Sequence, residues 1–410
     1  MTGRGNPGSE ISTQEGGTNP VAASDLENVL ARLRRRPDVE APNLQAWDAT
    51  DRLLLDTAVE HQRTGGSLTV IGDRYGALAL GALAVLEPRT LRVHQDLITG
   101  ERALRLNAAA IGVTAPDSDD GGPGEPAFAQ LPLSPGLLAE ADTVLLQLPK
   151  TLAELDQIAA AVARYASPDV LLLAGGRVKH MSLGMNTILE RHFHSVRPQL
   201  ARQKSRVILA AGAKANAGTE RFPVVEHLAE LDLDVAAHGA AFAGPRLDIG
   251  TRFLLTFLPS MHAARHAVDL GCGTGILAAM YARHFPDAAV TATDQSAAAV
   301  ASALETARRN GLADRISVVQ DDALSTFPDA GADLILLNPP FHVGAGVHTG
   351  AGLKLIEAAG RVLAPHGELW TVFNRHLPYL PALEQHIGPT VVKGRNPKFT
   401  VTLSIRRART

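Results

Sequence analysis

The residues with the clearest chemical content stand in the C-terminal half of the chain. Asn338-Pro339-Pro340-Phe341 directly follows an apolar run at 334–337. An amine conjugated to a π system is a poor nucleophile, because its lone pair is delocalised. The Asn338 side-chain oxygen and the Pro339 carbonyl offer two acceptors for the two N–H groups of such an amine, favouring pyramidalisation and aiming the lone pair. Pro339 and Pro340 stiffen the backbone so that the carbonyl points into a pocket, and Phe341 supplies a face on which an unstacked base can lie. Asn338, Pro339, Pro340 and Phe341 are therefore the candidate catalytic group. His342 and His348 border the same loop; His342 is kept as a candidate substrate contact, although most loop histidines are bystanders.

A second group lies upstream. Residues 268–277 read as a buried strand, an acidic residue near its end (Asp269), three glycines (Gly271, Gly273, Gly275) and the start of a helix. The glycines let the backbone turn tightly and approach a ligand, and the helix start offers free amides. The spacing is Gly-x-Gly-x-Gly with Ile276 next, so the third glycine of a nicotinamide-dinucleotide fingerprint is missing. Asp294, 19 residues past Gly275 at the end of the next expected strand, is placed to accept both hydroxyls of a ribose. Asp321, Asp322 and Ala323 close the strand after that. Cys272, inside the turn, reads as a small filler rather than a nucleophile.

These residues need elements to hold them. Expected strands at 68–71, 90–94, 143–148, 170–173 and 207–211 alternate with helical segments. A second series follows at 266–270, 289–293, 316–320, 334–337, 368–373, 390–393 and 399–405. Alternation of this kind predicts parallel sheets covered by helices. The two series share landmarks: residues 44–54 precede the first strand as 244–254 precede its counterpart, and Arg52 to Gly72 spans 20 residues against 19 for Arg252 to Gly271. One α/β unit thus occurs twice, the first with a Gly/Pro-rich surface loop at 115–135. The expected division is a disordered lead-in at 1–21, a first unit at 22–213, a linker at 214–234 and a second unit at 235–410.

Composition narrows the classes. A length of 410 residues with 45% hydrophobic content supports a buried core in each unit. One cysteine excludes an intramolecular disulfide and any multi-cysteine zinc or iron–sulfur site, so no metal is expected and a cytoplasmic location is. No apolar run approaches the roughly 18 residues of a membrane helix. The net charge of −3 hides two basic stretches. Residues 171–210 carry Arg177, Lys179, Arg191, Arg197, Arg202, Lys204 and Arg206 against Glu190 alone, and 390–410 carry Lys393, Arg395, Lys398, Arg406, Arg407 and Arg409 with no carboxylate side chain. Phosphate contacts from such residues position RNA without reading its sequence.

The glycine turn resembles the first motif of class I S-adenosylmethionine-dependent methyltransferases, and Asn338-Pro339-Pro340-Phe341 resembles the motif of those that modify conjugated nitrogens. Together with residues 244–253, His342, the segments 367–369 and 374–379, and Asn396-Pro397-Lys398-Phe399, they are similar to the two-domain ribosomal RNA guanine-N(2) methyltransferases. Residues 44–55 and 148–152 are similar to the large-subunit branch in particular. The resemblance implies a tandem duplicated Rossmann-like α/β fold whose C-terminal copy alone binds S-adenosylmethionine and acts on a guanine 2-amino group of ribosomal RNA, the large-subunit (23S) RNA above all; a monomer is the separate expectation. It implies that Asp269 holds the cationic end of the cofactor, with Gly271, Gly273, Gly275, Asp294, Ala323 and Asn338 around it. Asp322, with Asp321 as competitor, would take the adenine amino group. The N-terminal copy departs in kind: Asp73, Arg74 and Tyr75 stand between Gly72 and Gly76, and Gln147-Leu148-Pro149-Lys150 replaces the catalytic motif. It reads as an RNA-recognition scaffold in which Arg177, Lys179, Arg202, Lys204 and Arg206, with Phe341, His342 and Lys398 of the other copy, contact substrate. Other readings are a small-subunit (16S) RNA enzyme, a methyltransferase for an adenine amine or protein glutamine, and, in a different class, an RNA-binding assembly factor with a vestigial cofactor site.

Overall fold

A computed structural model describes residues 20–38, 40, 44–116, 127–214, 221–340 and 350–408. Phe341, His342, His348 and most of the lead-in lie outside them. In the first unit α1 (Pro20–Arg32) and α2 (Ala49–Glu60) precede β1 (Ser67–Ile71), and then α3 (Ala77–Val85), β2 (Thr90–His94), α4 (Ile98–Ile111), β3 (Ala129–Gln130), α5 (Pro135–Leu138), β4 (Thr143–Gln147), α6 (Leu152–Tyr165), β5 (Leu171–Arg177), α7 (Leu183–His192), β6 (Phe193–Pro198) and β7 (Ser205–Ala213) follow. The second unit runs β8 (Val224–Leu228), β9 (Leu233–Ala237), α8 (Ile249–Leu255), β10 (His266–Leu270), α9 (Ile276–His284), β11 (Ala289–Asp294), α10 (Ala297–Arg309), β12 (Ile316–Gln320), β13 (Ala332–Leu337), α11 (Gly350–Val362), β14 (Leu363–Asn374), α12 (Leu380–His386), β15 (Thr390–Arg395) and β16 (Phe399–Ile405).

The two seven-stranded sheets have one topology, β3-β2-β1-β4-β5-β7-β6 and β12-β11-β10-β13-β14-β16-β15, in which the last two strands of each list join antiparallel. This is the duplicated α/β fold. The central strands are buried apolar runs, as strands covered by helices on both faces must be. Each sheet carries an apolar core on either face, around Leu54 and Leu172 in the first unit and around Trp370 and Ile356 in the second. No helix among the described residues is long and apolar enough to cross a membrane.

Two expectations need correction. The segment expected as a linker at 214–234 holds β8 and the first two residues of β9; Leu233 and Val235 of that strand are fully buried in the second unit's core. Ala236 N and His238 N donate to Thr306 Oγ1 and Ser302 Oγ of α10 at 3.1 and 2.9 Å. The loop at 115–135 is not all surface: Phe128 is buried, and β3 within it pairs with β2.

Candidate active site

Strand β10 delivers the glycine turn. Gly271, Gly273 and Gly275 have φ of +76°, +53° and +79°, a region costly for residues with a Cβ. A Cβ on Gly275 would press on Ala303 Cβ at 3.0 Å, so that glycine serves helix packing; on Gly271 or Gly273 it would meet nothing within 4 Å and would project into open space. The outer rim of the turn is thus backbone with no side chain over it. Asp269 is fully buried, its Oδ2 accepting Ala278 N at 2.9 Å while Oδ1 has no partner. Burial, reinforced by nearby Asp294, pushes its carboxyl up to about 7. Asp294 accepts Gly273 N and Ser296 N, each at 3.0 Å, and thereby ties the cradle to the start of α10. Cys272 is buried and its thiol is pushed well up by burial, consistent with a filler.

Beyond β12 the two neighbouring carboxylates divide the labour. Asp321 is buried and builds the turn, accepting Asp322 N at 2.8 Å, Ser325 Oγ at 2.5 Å, and Thr326 N and Oγ1 at 3.0 and 3.1 Å. It thereby holds Ala323 and Leu324 at φ of +53° and +57°. Asp322 instead faces Lys354 of α11, whose Nζ lies 2.7 and 2.5 Å from its two oxygens. Lys354 is half exposed, so it can yield this carboxylate to a competing donor.

Asn338 sits at the end of β13, next to β10. Its Nδ2 donates to Asp248 Oδ2 and to Thr251 Oγ1, both at 3.0 Å. A carboxylate only accepts, so the amide orientation is settled and Oδ1 faces away from this pair as an acceptor. Asp248 is at the same time the N-cap of α8, with Oδ2 accepting Gly250 N at 2.9 Å and Thr251 N at 3.1 Å. A Cβ on Gly250 would crowd this pair, standing 3.3 Å from Asn338 Oδ1 and 3.0 Å from Asp248 Oδ2. Pro339 is buried and Pro340 exposed. Phe399 packs against Gly250, which brings the β15–β16 hairpin with Lys398 beside this site, and Arg375 N donates to Lys398 O at 2.9 Å. Asp248 and Thr251 are visible in the sequence only as part of a shared landmark; 90 residues separate Asp248 from Asn338, and no local spacing links them.

The N-terminal unit closes its own turn. Asp73, in the position of Cys272, is buried and accepts Gly76 N at 3.0 Å and Ala79 N at 2.7 Å, with burial raising its carboxyl to about 6. Gln95 replaces Asp294 and donates to Asp73 O at 2.8 Å. Tyr75 gives its hydroxyl to Asp38 at 2.5 Å beneath the Arg35 guanidinium, 4.7 Å above its ring, and its carbonyl accepts Asn107 Nδ2 at 2.7 Å. Where the second unit has Asn338 with Asp248 and Thr251, the first pairs Gln147 Nε2 with Asp51 Oδ1 at 2.5 Å. These polar groups, at the positions where the other copy could meet a cofactor, are spent on the protein itself.

Of the basic candidates, Arg177, Lys179, Arg202 and Lys204 gather at one end of the first sheet, where Val178 N bonds Lys204 O at 2.9 Å. Arg177 lies 3.8 Å from Asp48, and Arg202 pairs with Glu60 at 2.8 Å, both pairs exposed and weak. Arg206 is half-buried in β7 with Nε enclosed and unpartnered.

Residues 232–403 match the family described as Methyltransferase small domain, and residues 22–215 match the RLMG N-terminal domain. A chain with this pair of units is a two-domain methyltransferase. The ribosomal RNA large subunit methyltransferase G of Streptomyces coelicolor is 33% identical over 93% of this chain and 98% of its own length, and that of Pseudomonas paraeruginosa is 35% identical over 90% and 96%. The chain belongs to the ribosomal RNA large subunit methyltransferase G family. In fold it is similar to the T. thermophilus 16S rRNA N2 G1207 methyltransferase, solved with AdoMet and guanosine. The TM-score is 0.71 at 18% identity, over 90% of this chain and 97% of that one.

Proposed function

We propose that the second unit transfers the methyl group of S-adenosylmethionine to the exocyclic 2-amino group of a guanine in large-subunit (23S) ribosomal RNA. The observation that carries this reading is the pinned Asn338 amide, an acceptor of fixed orientation at the end of the strand next to an open glycine cradle. Bound S-adenosylmethionine supplies an electrophilic methyl group. The residues present suit it: the unpaired Oδ1 of Asp269 wants a donor such as an ammonium, Gly271 and Gly273 leave room for close approach, and Asp294 keeps lone pairs for ribose hydroxyls. Asp322, once released by Lys354, is the acceptor for an adenine amine beside Ala323, while Asp321 is committed to the turn.

Asn338 Oδ1 and the Pro339 carbonyl hold the two N–H groups of the guanine amine and point its lone pair at the methyl carbon. With its two N–H groups held, the amine nitrogen would be set to accept an electrophilic methyl group, and its proton would leave only after attack, so no strong base is needed. Phe341 and His342 would stack on and border the extruded base. The first unit, 22–213, serves as scaffold and RNA guide through Arg177, Lys179, Arg202, Lys204 and Arg206, with Lys398 on the catalytic side. The enzyme would work as a cytoplasmic monomer without metal. The large-subunit RNA is favoured over small-subunit RNA because relatives named for the large subunit match nine-tenths or more of the chain. Nucleoside mapping of ribosomal RNA from cells lacking the protein, restored by adding it back, tests the proposal. A 23S RNA with no missing N(2)-methylguanine would refute it.

A further inference from the structure

The two units meet through corresponding loops. Leu97 bridges Ser296, Ile98 N donates to Gln295 O at 3.0 Å, and Ala297 N donates to Asp96 O at 2.8 Å. Because 96, 97 and 98 correspond to 295, 296 and 297, the backbone contact is symmetric. The side chains are not. Asp96 Oδ1 accepts Ala298 N at 2.9 Å, whereas α4 has no side-chain cap of its own. Four amides at the start of α10 are thus satisfied in sequence: Ser296 N by Asp294, Ala297 N and Ala298 N by Asp96, and Ala299 N by Ser296 Oγ. Two of the four depend on the other unit, and the first belongs to the ribose candidate. Gln320 Nε2 straps Asp96 O and Gln295 O together at 3.2 and 3.1 Å. On the adenine side Arg102 of α4 reaches Ser325 Oγ at 3.3 Å and stands 3.6 Å from the buried Asp321, on which the 321–326 turn is built.

We propose that Asp96 and Arg102 of the non-catalytic unit are positioning residues for the nucleoside end of the cofactor pocket in the other unit. Asp96 sets the direction of Asp294 through the start of α10, and Arg102 anchors the turn that presents Asp322. Neither touches the reacting atoms. This inference rests on the proposed cofactor reading. It gives the degenerate copy a task separate from RNA guiding, since removing either side chain should loosen cofactor binding and leave RNA binding alone.

The test is a calorimetric titration of the full-length protein with S-adenosylmethionine, for wild type, Asp96→Ala, Asp96→Asn, Arg102→Ala and Arg102→Lys, with circular-dichroism melts run alongside. Loss of a helix cap of this kind corresponds to a Kd raised about five- to tenfold in Asp96→Ala. Asp96→Asn, which keeps an acceptor oxygen, should recover most of the affinity, and Arg102→Lys should recover part of what Arg102→Ala loses. The kcat at saturating cofactor and the KM for RNA should stay within about twofold, a split that general destabilisation does not produce. Wild-type binding with unchanged Kd in both alanine variants overturns this inference alone. So does a fall in kcat while Kd holds, or an Asp96→Ala variant that unfolds while the partly exposed Arg102→Ala binds normally. Absence of binding by the wild type overturns the functional reading, and this inference with it.

Discussion

The Asn338 amide carries a division of labour between its two ends. Its nitrogen donates to Asp248 and Thr251, which fixes the direction of its oxygen; on the proposed reading that oxygen needs no reorganisation at the moment of reaction. Asn338→Ala should lower kcat on the order of a hundredfold with cofactor affinity nearly intact, measured by single-turnover methylation and calorimetry. Asp248→Ala leaves Asn338 in place but frees its amide to rotate; kcat should fall on the order of tenfold, and unchanged turnover would show that the orientation does not matter. Asp269 makes a pH prediction. Its folded-state carboxyl is raised to about 7, so between the ordinary carboxylate range and pH 7 the folded protein binds the extra proton. Stability of the ligand-free protein should therefore be highest on the acid side of that window and decline as pH rises through 7. Asp51, raised to about 7, and Asp73, raised to about 6, contribute in the same sense. Asp269→Asn should flatten part of this slope in thermal melts from about pH 5 to 8. Affinity for a cationic ligand should run the other way in wild type, strengthening as Asp269 ionises.

At the scale of elements, the glycine turn joins two requirements that different glycines meet. Gly275 is held by packing against Ala303, and Gly271 and Gly273 by the open side. Gly273→Val should leave a folded protein that takes up no S-adenosylmethionine in calorimetry; retained binding would mean that the cradle has been assigned to the wrong ligand. The central strands are legible in the sequence because burial on both faces demands continuous apolar runs, as in 266–270 and 143–147. β3, β6 and β8 are not: β3 is two residues long, β6 is largely polar, and β8 is mostly exposed, so none carries the apolar signal of a core strand. β8 therefore falls inside the expected linker at 214–234, although the hairpin it forms with β9 is part of the second unit and β9 is buried against α10.

For the molecule as a whole, duplication has left two pockets with opposite fates across one pseudo-symmetric contact. Its charge is organised on the same scale. Lys179 follows β5 while Arg202 and Lys204 stand in the β6–β7 turn, and the three share one end of the first sheet. Neutralising all three should weaken RNA binding across sequences and reduce the slope of log K against log salt by up to about three, which a salt titration of RNA affinity would measure; an unchanged slope would remove this surface from the RNA path. Arg206, from the same basic stretch, is half-buried in β7, and on the proposed reading its neutralisation should matter less. What the sequence by itself determined was the repeated unit, the glycine turn, the strand-end carboxylates and the Asn-Pro-Pro motif, since each is written in residues that stay local or recur at a fixed offset. Only the tertiary structure decided that Asp248 and Thr251 orient Asn338, that Asp321 is consumed by its own turn while Asp322 faces Lys354, and that Asp96 caps a helix in the other unit. Those contacts join residues as much as 202 positions apart, and hydrogen-bond partners at such separations are chosen by how the sheets and helices pack, which no spacing along the chain records.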